Sequence, residues 1–137
     1  MANNQQFAYT ALRNDRGEVT LRPQLTFTLA HGELVQSVAG LLDTGADVNV
    51  LPYRTGLALG AVWSEQTTAV VLSGNLARYE ARGVIFTATV AQFPPVRLAF
   101  AWTQADDVPL ILGQVNFFME FDVCFYRSQA MYSIQPK

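Results

Sequence analysis

The chain has 137 residues, of which 50% are hydrophobic and 15% are charged, and its formal net charge is −2 at pH 7. This length suits one domain with its own core, and the absence of a basic excess argues against a nucleic-acid partner. No apolar run reaches the roughly 18 residues that cross a bilayer, no signal-peptide pattern is visible, and a single cysteine suits a reducing compartment, so we expect a soluble, cytoplasmic protein without a membrane partner.

Strand patterns dominate residues 7–137, which we expect to form one domain behind a flexible tail of residues 1–6. Apolar and polar residues alternate along residues 25–29, as in a half-buried strand. The strand-like segments, in chain order, are residues 7–12, 18–30, 34–42, 48–52, 84–93, 96–103, 110–112, 121–126 and 130–134. Residues 114–121 are the best helix candidate. The pattern predicts an all-β fold, a closed or folded-over sheet with one short C-terminal helix.

The usual catalytic and metal-binding patterns are absent from the sequence. His31 is the only histidine and belongs to a predicted hairpin tip, and Cys124 is predicted to be a packing residue, so no zinc site and no Ser-His-Asp or Cys-His arrangement is expected. The adjacent Asp106 and Asp107 would point to opposite faces of a strand, which favours turn residues over a catalytic pair. We predict no metal and no cofactor, and Asp43 remains as the acid to explain.

Asp43 lies in the sequence LLDTGADVNVLP, residues 41–52, between two apolar segments. An ionised carboxylate is costly to bury without a partner, so the surroundings of Asp43 raise the question of what it pairs with. Asp-Thr-Gly alone is a weak signal, because a given tripeptide occurs by chance in roughly 3% of chains of this length. Farther along, VPLILGQVNFF supplies an apolar run, a glycine and a predicted helix start.

Together the two patterns resemble those of the retropepsin-like aspartic proteases, over about residues 20–135. In that family a hydrophobic-hydrophobic-Asp-Thr/Ser-Gly-Ala stretch carries the catalytic acid, and residues 41–46 match it. A later hydrophobic-hydrophobic-Gly stretch threads through the active-site loop, and Ile111, Leu112 and Gly113 match it. The resemblance implies a closed acid-protease barrel that forms one half of a two-fold dimer.

The resemblance also implies roles for the residues of the first motif. Asp43 would be the catalytic acid and would share a proton with Asp43 of a second, identical chain, because two like charges at short range cannot both ionise. Thr44 and Gly45 would complete the active-site loop, with the Thr44 hydroxyl bonding across the two-fold axis. Ala46 and Asp47 would line the cleft and contact the substrate backbone.

A β-hairpin flap closes over the substrate in this family, and residues 70–80 match it best. Its tip would be Ser73-Gly74-Asn75, with Ser73 and Gly74 in contact with substrate. An ordinary hairpin tip, with no substrate contact, is the alternative for the same three residues.

One position departs from the retroviral pattern. An Arg that follows the glycine of the second motif pairs with an Asp in the retroviral enzymes, whereas Gln114 stands there and lacks the charge and the rigid fork of Arg. Asp47 therefore needs another partner. Arg22 matches an Arg that reaches across the subunit interface, and we expect Arg22 to pair with Asp47 of the other chain.

Three functions are compatible with these motifs. The first is a homodimeric aspartic endopeptidase that cleaves peptides or proteins bound in an extended conformation. The others are a non-catalytic peptide- or protein-binding module on the same fold, in which Asp43 serves as a turn residue, and a small β-barrel that binds an apolar ligand. Two arrangements of the termini also stay open, since residues 7–12 and 130–134 either interleave between subunits or pair within one chain.

Overall fold

The computed structural model describes residues 4–137. The strands are β1 (Gln5–Ala8), β2 (Thr10–Arg13), β3 (Val19–Arg22), β4 (Gln24–His31), β5 (Leu34–Leu42), β6 (Asn49–Leu51), β7 (Ala69–Val70), β8 (Ala81–Thr89), β9 (Val96–Thr103), β10 (Ile111–Leu112), β11 (Phe121–Tyr126) and β12 (Met131–Pro136). Two short α-helices, α1 (Tyr53–Ala58) and α2 (Phe117–Glu120), lie between them. No helix in the described part of the chain is long and apolar enough to cross a membrane.

Six strands close into a barrel in the order β4-β5-β10-β6-β9-β8, with the C-terminal end of β8 pairing back onto β4. The two-residue strand β7 pairs with the N-terminal end of β8, on the edge that β9 leaves free. The period-two pattern of β4 places Leu25, Phe27 and Leu29 in the barrel interior, where each is at most 3% exposed. The mostly-β fold with a short helix near the C-terminus is therefore confirmed. That helix, α2, is a single turn and begins later than the predicted segment.

The helix α1 was not predicted from the sequence. Its six residues include a threonine and a glycine, which are poor helix formers, so no local signal marks it. Tertiary contacts determine its position instead. Gly56 packs directly against the fully buried indole of Trp102, and the indole N–H donates a hydrogen bond to the Tyr53 carbonyl, 3.1 Å away.

A separate three-stranded sheet has the order β1-β12-β11, so the two terminal segments pair within one chain. Phe7 lies opposite Tyr132, and the Tyr132 hydroxyl donates to the Gln24 carbonyl of the barrel at 2.8 Å. Burial raises the pKa of this hydroxyl above its usual range. The predicted flexible tail is wrong at Gln5 and Gln6, which β1 includes because β12 offers it a partner; residues 1–3 lie outside the described residues.

Three other predicted positions can be compared with the fold. His31 ends β4 at the hairpin turn, as predicted, and its Nδ1 donates to the Leu59 carbonyl at 2.8 Å. Asp106 and Asp107 lie in a bend, also as predicted. The packing role predicted for Cys124 is wrong, because it is exposed on β11, where alternate residues face solvent.

Candidate active site

The loop that carries Asp43 is held by a strand passing between its two arms. β10 lies between β5, to which it is parallel, and β6, to which it is antiparallel. The backbone N–H of Asp43 donates to the Leu112 carbonyl at 3.0 Å, and the N–H of Gln114 donates to the Ala46 carbonyl at 2.9 Å. Backbone hydrogen bonds thus tie both arms of the loop to residues 112–114, and they fix the position of the loop that carries the Asp43 carboxyl.

Gly113 occupies the point where the threaded segment crosses the loop. A Cβ atom at this position would lie 2.6 Å from the Val48 carbonyl oxygen and 2.7 Å from that of Ala46. Both are backbone atoms and cannot move aside as a flexible side chain does. The crossing therefore requires glycine, which is the physical reason for the second motif.

Asn49 is a further residue that the sequence analysis overlooked. It is fully buried, and its Oδ1 accepts the Gly113 N–H at 2.8 Å. Its Nδ2 donates to the Ala99 carbonyl at 2.9 Å and to Asn116 Oδ1 at 3.2 Å. The sequence did hold a signal for this role, because an asparagine stands between two valines in a predicted apolar strand. A polar side chain buried in such a strand needs hydrogen-bond partners. Asn49 therefore joins the loop, the threaded strand and β9.

Asp43 is half-buried, and the part of the chain that the structure describes uses only one of its two carboxyl oxygens. Its Oδ1 accepts the Gly45 N–H at 3.0 Å, as in an Asx turn. Within residues 4–137, Oδ2 has no hydrogen-bond partner, and the side chain makes no ion pair. Thr44 and Gly45 are exposed beside it. One carboxylate oxygen therefore remains available to a water molecule or to another protein group.

A cleft of about 270 Å³ opens beside Asp43, between its loop and the flap segment, residues 71–76. The lining residues are Asp43, Gly45, Ala46, Asp47, Val48, Val50, Val71, Leu72, Ser73, Gly74, Asn75, Leu76 and Ile111. The fold thus brings together the catalytic and substrate-binding residues predicted from sequence. Leu112 and Gly113 lie behind the loop and support it, as the hydrogen bonds above describe.

The flap differs from the predicted β-hairpin. β7 pairs with β8 only at its two residues, and Gly74–Leu76 form a turn of 3-10 helix in place of a hairpin tip. Leu72 is buried in a cluster with Val50 and Ile111 at the floor of the cleft, and Leu76 packs against that cluster. These apolar contacts draw the flap segment down onto the barrel, so its backbone does not extend as a regular strand pair.

Arg22 lies on the other side of Asp43, away from the cleft. It lines a second cavity of about 300 Å³ together with Asp43, Thr44 and Phe125. Neither Arg22 nor Asp47 forms an ion pair inside the described chain. The structure therefore leaves two opposite charges exposed on either side of the Asp43 loop.

Gln114 has a specific contact where the retroviral pattern has Arg. Its side-chain Nε2 donates to the Thr44 carbonyl at 2.8 Å, so the amide bonds to the active-site loop without adding charge. We expect Gln114→Ala to lower the free energy of unfolding by about 1 kcal/mol. Gln114→Glu should cost more, because it places an acceptor against an acceptor. Urea unfolding at one protein concentration measures both, and a Glu variant as stable as the wild type would contradict this role.

A second functional site among the described residues would need a cavity with reactive side chains or a metal-binding cluster. An apolar groove of about 450 Å³ lies beside β8 and β9, and residues 66–70 form its other side. No ionisable side chain lines this groove. Among residues 4–137, no group of three or more His, Cys, Asp or Glu side chains is arranged to hold a metal ion. Asp43 and its cleft are therefore the best candidate for an active site.

The fold is similar to that of two solved proteases. A retropepsin-like aspartic protease from Rickettsia conorii aligns with a TM-score of 0.62 and 12% sequence identity, covering 99% of this chain and 94% of that one. EIAV protease complexed with the inhibitor HBY-793 aligns with a TM-score of 0.51 and 18% identity, covering 75% of this chain and 88% of that one. No protein-family model and no curated protein matches the sequence. The similarity confirms the retropepsin-like fold expected from the two motifs.

Proposed function

We propose that the protein is an aspartic endopeptidase whose active site forms only in a homodimer, with one Asp43 from each chain. The observation that carries this proposal is the placement of Asp43. Its carboxyl lines a cleft of about 270 Å³, its loop is held by the threaded β10 segment, and one carboxyl oxygen is unpaired within the described chain. The retropepsin-like fold supports the same reading of the loop.

The dimer follows from the chemistry of the reaction. Hydrolysis of a peptide bond by carboxyl groups needs one carboxylate as the base and one neutral carboxyl as the acid. The chain has a single Asp-Thr-Gly sequence, and the cleft holds no second acid in a matching loop. A two-fold axis that passes beside the loop places each Asp43 opposite its own copy.

In the proposed mechanism, the ionised Asp43 takes a proton from a water molecule held between the two subunits. The oxygen of that water attacks the scissile carbonyl carbon. The neutral Asp43 of the partner subunit donates a hydrogen bond to the carbonyl oxygen, which becomes a hydroxyl in the tetrahedral intermediate. As the C–N bond breaks, the carboxyl that took the proton of the water gives it to the leaving nitrogen. One hydroxyl of the intermediate returns its proton to the other carboxylate as the new carboxylic acid forms, so the two carboxyls again share one proton.

The substrate is an extended peptide with apolar side chains near the cleaved bond. Val48, Val50 and Ile111 give the cleft its apolar walls, while Asp47 and Ser73 offer polar groups to the peptide backbone. The flap segment has to move when a peptide binds, because Leu72 and Leu76 now pack against Val50 and Ile111, where the peptide would lie.

The proposal is tested by incubating the purified protein with an unfolded protein or a peptide library at about pH 3 to 7 and sequencing the new termini. We expect internal cleavage with an acidic optimum and a decline on both sides, because one carboxyl must be ionised and one neutral. Peptide binding without cleavage at any pH would instead identify a binding module.

The interface pair predicted from sequence has its own test. We expect Arg22→Ala to weaken the dimer by about tenfold at low salt, because it removes one charge of each Arg22–Asp47 pair across the axis. Asp47→Ala should weaken it similarly, and the double variant should add little more. Sedimentation of the three variants measures this. Full additivity of the two substitutions would show that the residues do not pair.

A further inference from the structure

β11 is an edge strand whose outer side has no partner in the described chain. The three-stranded sheet has the order β1-β12-β11, so β12 is central and β11 has β12 on one side only. An edge strand presents a row of unpaired N–H and C=O groups, which is a template for pairing with another chain. A polypeptide partner at this edge would satisfy them.

The side chains of β11 leave apolar surface exposed at the end of the strand. Alternate residues of the strand face the body of the protein, and their exposure rises along it. Phe121 is 1% exposed, Val123 is half-buried, and Phe125 is 36% exposed although it faces inward. Tyr132 lies against the Phe125 ring, with ring centroids 6.5 Å apart. The neighbouring Tyr126 is 41% exposed, so an aromatic patch stands at the free edge.

This patch is next to the Asp43 loop. Phe125 lines the same cavity as Asp43, Thr44 and Arg22. A second molecule that covers Phe125 therefore also comes to the side of the loop opposite the substrate cleft. The free edge of β11 and Asp43 therefore lie on the same side of the molecule.

We propose that β11 pairs in antiparallel fashion with β11 of a second copy of this chain, across the two-fold axis that brings the two Asp43 residues together. The result is a six-stranded sheet in which each subunit keeps its own β1 and β12. This inference rests on the proposed function and names the surface that assembles its active site. The partner is a second copy because an edge strand is self-complementary about a two-fold axis, and because the cavity beside the strand is lined by Asp43 itself, which in the proposed function needs its own copy.

The axis is restricted to the middle of the strand. A two-fold axis perpendicular to an antiparallel pair places one residue opposite its own copy. Asp122 cannot be that residue, since like charges directly opposite each other are destabilising. An axis in the segment 123–125 keeps the two Asp122 carboxylates apart. At Cys124 it would place Val123 opposite Phe125 of the partner subunit, which is an apolar pair.

This arrangement differs from interleaved termini. β12 pairs with β1 over residues 131–134 and with β11 along its whole length. Exchange of β12 between subunits would break both ladders in each chain before any new one forms. Pairing through the β11 edge adds hydrogen bonds without breaking existing ones.

Sedimentation of a charged variant tests the surface. Phe125→Arg brings two cations together across the axis, and we expect the dimer dissociation constant to rise at least about 100-fold. Leu34→Arg is the matched control, because Leu34 is 49% exposed on the β4–β5 hairpin and lies outside the proposed contact. A dimer that survives Phe125→Arg as well as Leu34→Arg would overturn the interface and leave the endopeptidase proposal standing. A wild-type chain that stays monomeric at every concentration would overturn both.

Cross-linking provides a test that does not alter the strand. Cys124 is the only cysteine and is exposed on β11, so a short bismaleimide should join two wild-type chains through it. The control carries Cys124→Ser and Glu33→Cys, which moves the thiol to the exposed β4–β5 turn. We expect a covalent dimer from the wild type and none from the control. Equal yields, or a dimer from the control alone, would overturn the proposed pairing.

Discussion

Asp43→Asn should abolish peptide cleavage, with a fall in kcat/KM of about 10⁴-fold or more. Asparagine has the shape of aspartate, and its side-chain oxygen can still accept the Gly45 N–H. The fold and the peptide affinity should therefore persist. What the variant removes is the ability of the two subunits to share one proton, so neither the base nor the acid of the reaction remains. Cleavage assays with the wild type and the variant at the same dimer concentration measure the effect.

Asp15→Asn is the matched control for this substitution. Asp15 is an exposed residue in the turn between β2 and β3, and it lines neither cavity beside the Asp43 loop. The Asp15→Asn variant should therefore cleave peptides at the wild-type rate. If Asp43→Asn retained more than a small fraction of the wild-type activity, the reaction would use another group and the assigned role of Asp43 would be wrong.

Gly113→Ala should have the largest effect on stability, with a loss of about 2 to 4 kcal/mol in the free energy of unfolding. The added methyl group would overlap the carbonyl oxygens of Val48 and Ala46, at 2.6 and 2.7 Å. Relief of that overlap separates β10 from the loop and strains the hydrogen bond from Gly113 N–H to Asn49. Because the same loop carries Asp43, cleavage should fall together with stability.

Gly83→Ala is the control for the glycine substitution. A Cβ at Gly83 would meet Thr68 Cβ at 3.5 Å, which is an ordinary van der Waals contact. Its effect should stay within about 1 kcal/mol and could be stabilising, since alanine reduces the freedom of the unfolded chain. Urea unfolding of both variants is compared at one protein concentration, because dimerisation makes apparent stability concentration-dependent. Equal stability of the two variants would contradict the close crossing at Gly113.

The elements that sequence could predict are those with a strong local pattern. The alternation in β4 and the apolar run before Asp43 predicted two barrel strands, because side chains of a strand alternate between core and solvent. The motif around Ile111 predicted a threaded segment, and β10 does lie between β5 and β6. The elements that were missed depend on contacts distant in sequence. α1 is positioned by Gly56 against Trp102, and the flap conformation depends on Leu72 in a cluster with Val50.

The sequence was enough to predict which aspartate and which glycines form the candidate site, but not the hydrogen bonds that support them. Asp43 and Gly113 were identified because the sequences around them resemble the two motifs of the retropepsin-like aspartic proteases. Asn49 and the hydrogen bond from Gln114 to Thr44 are defined by partners that only the folded chain brings near. The free edge of β11, on which the proposed dimer surface depends, was likewise hidden, because it exists only once β12 has paired with β1 and β11.

Mixed dimers test most directly whether two copies of Asp43 act together. Wild-type protein and Asp43→Asn are mixed in varying proportions at constant total concentration, allowed to exchange subunits, and assayed for peptide cleavage. If each active site needs an aspartate from both chains, the rate follows the square of the wild-type fraction, and an equal mixture retains about a quarter of the full rate. A rate proportional to the wild-type fraction, with half the activity in the equal mixture, would show that each chain acts alone and would contradict the shared active site.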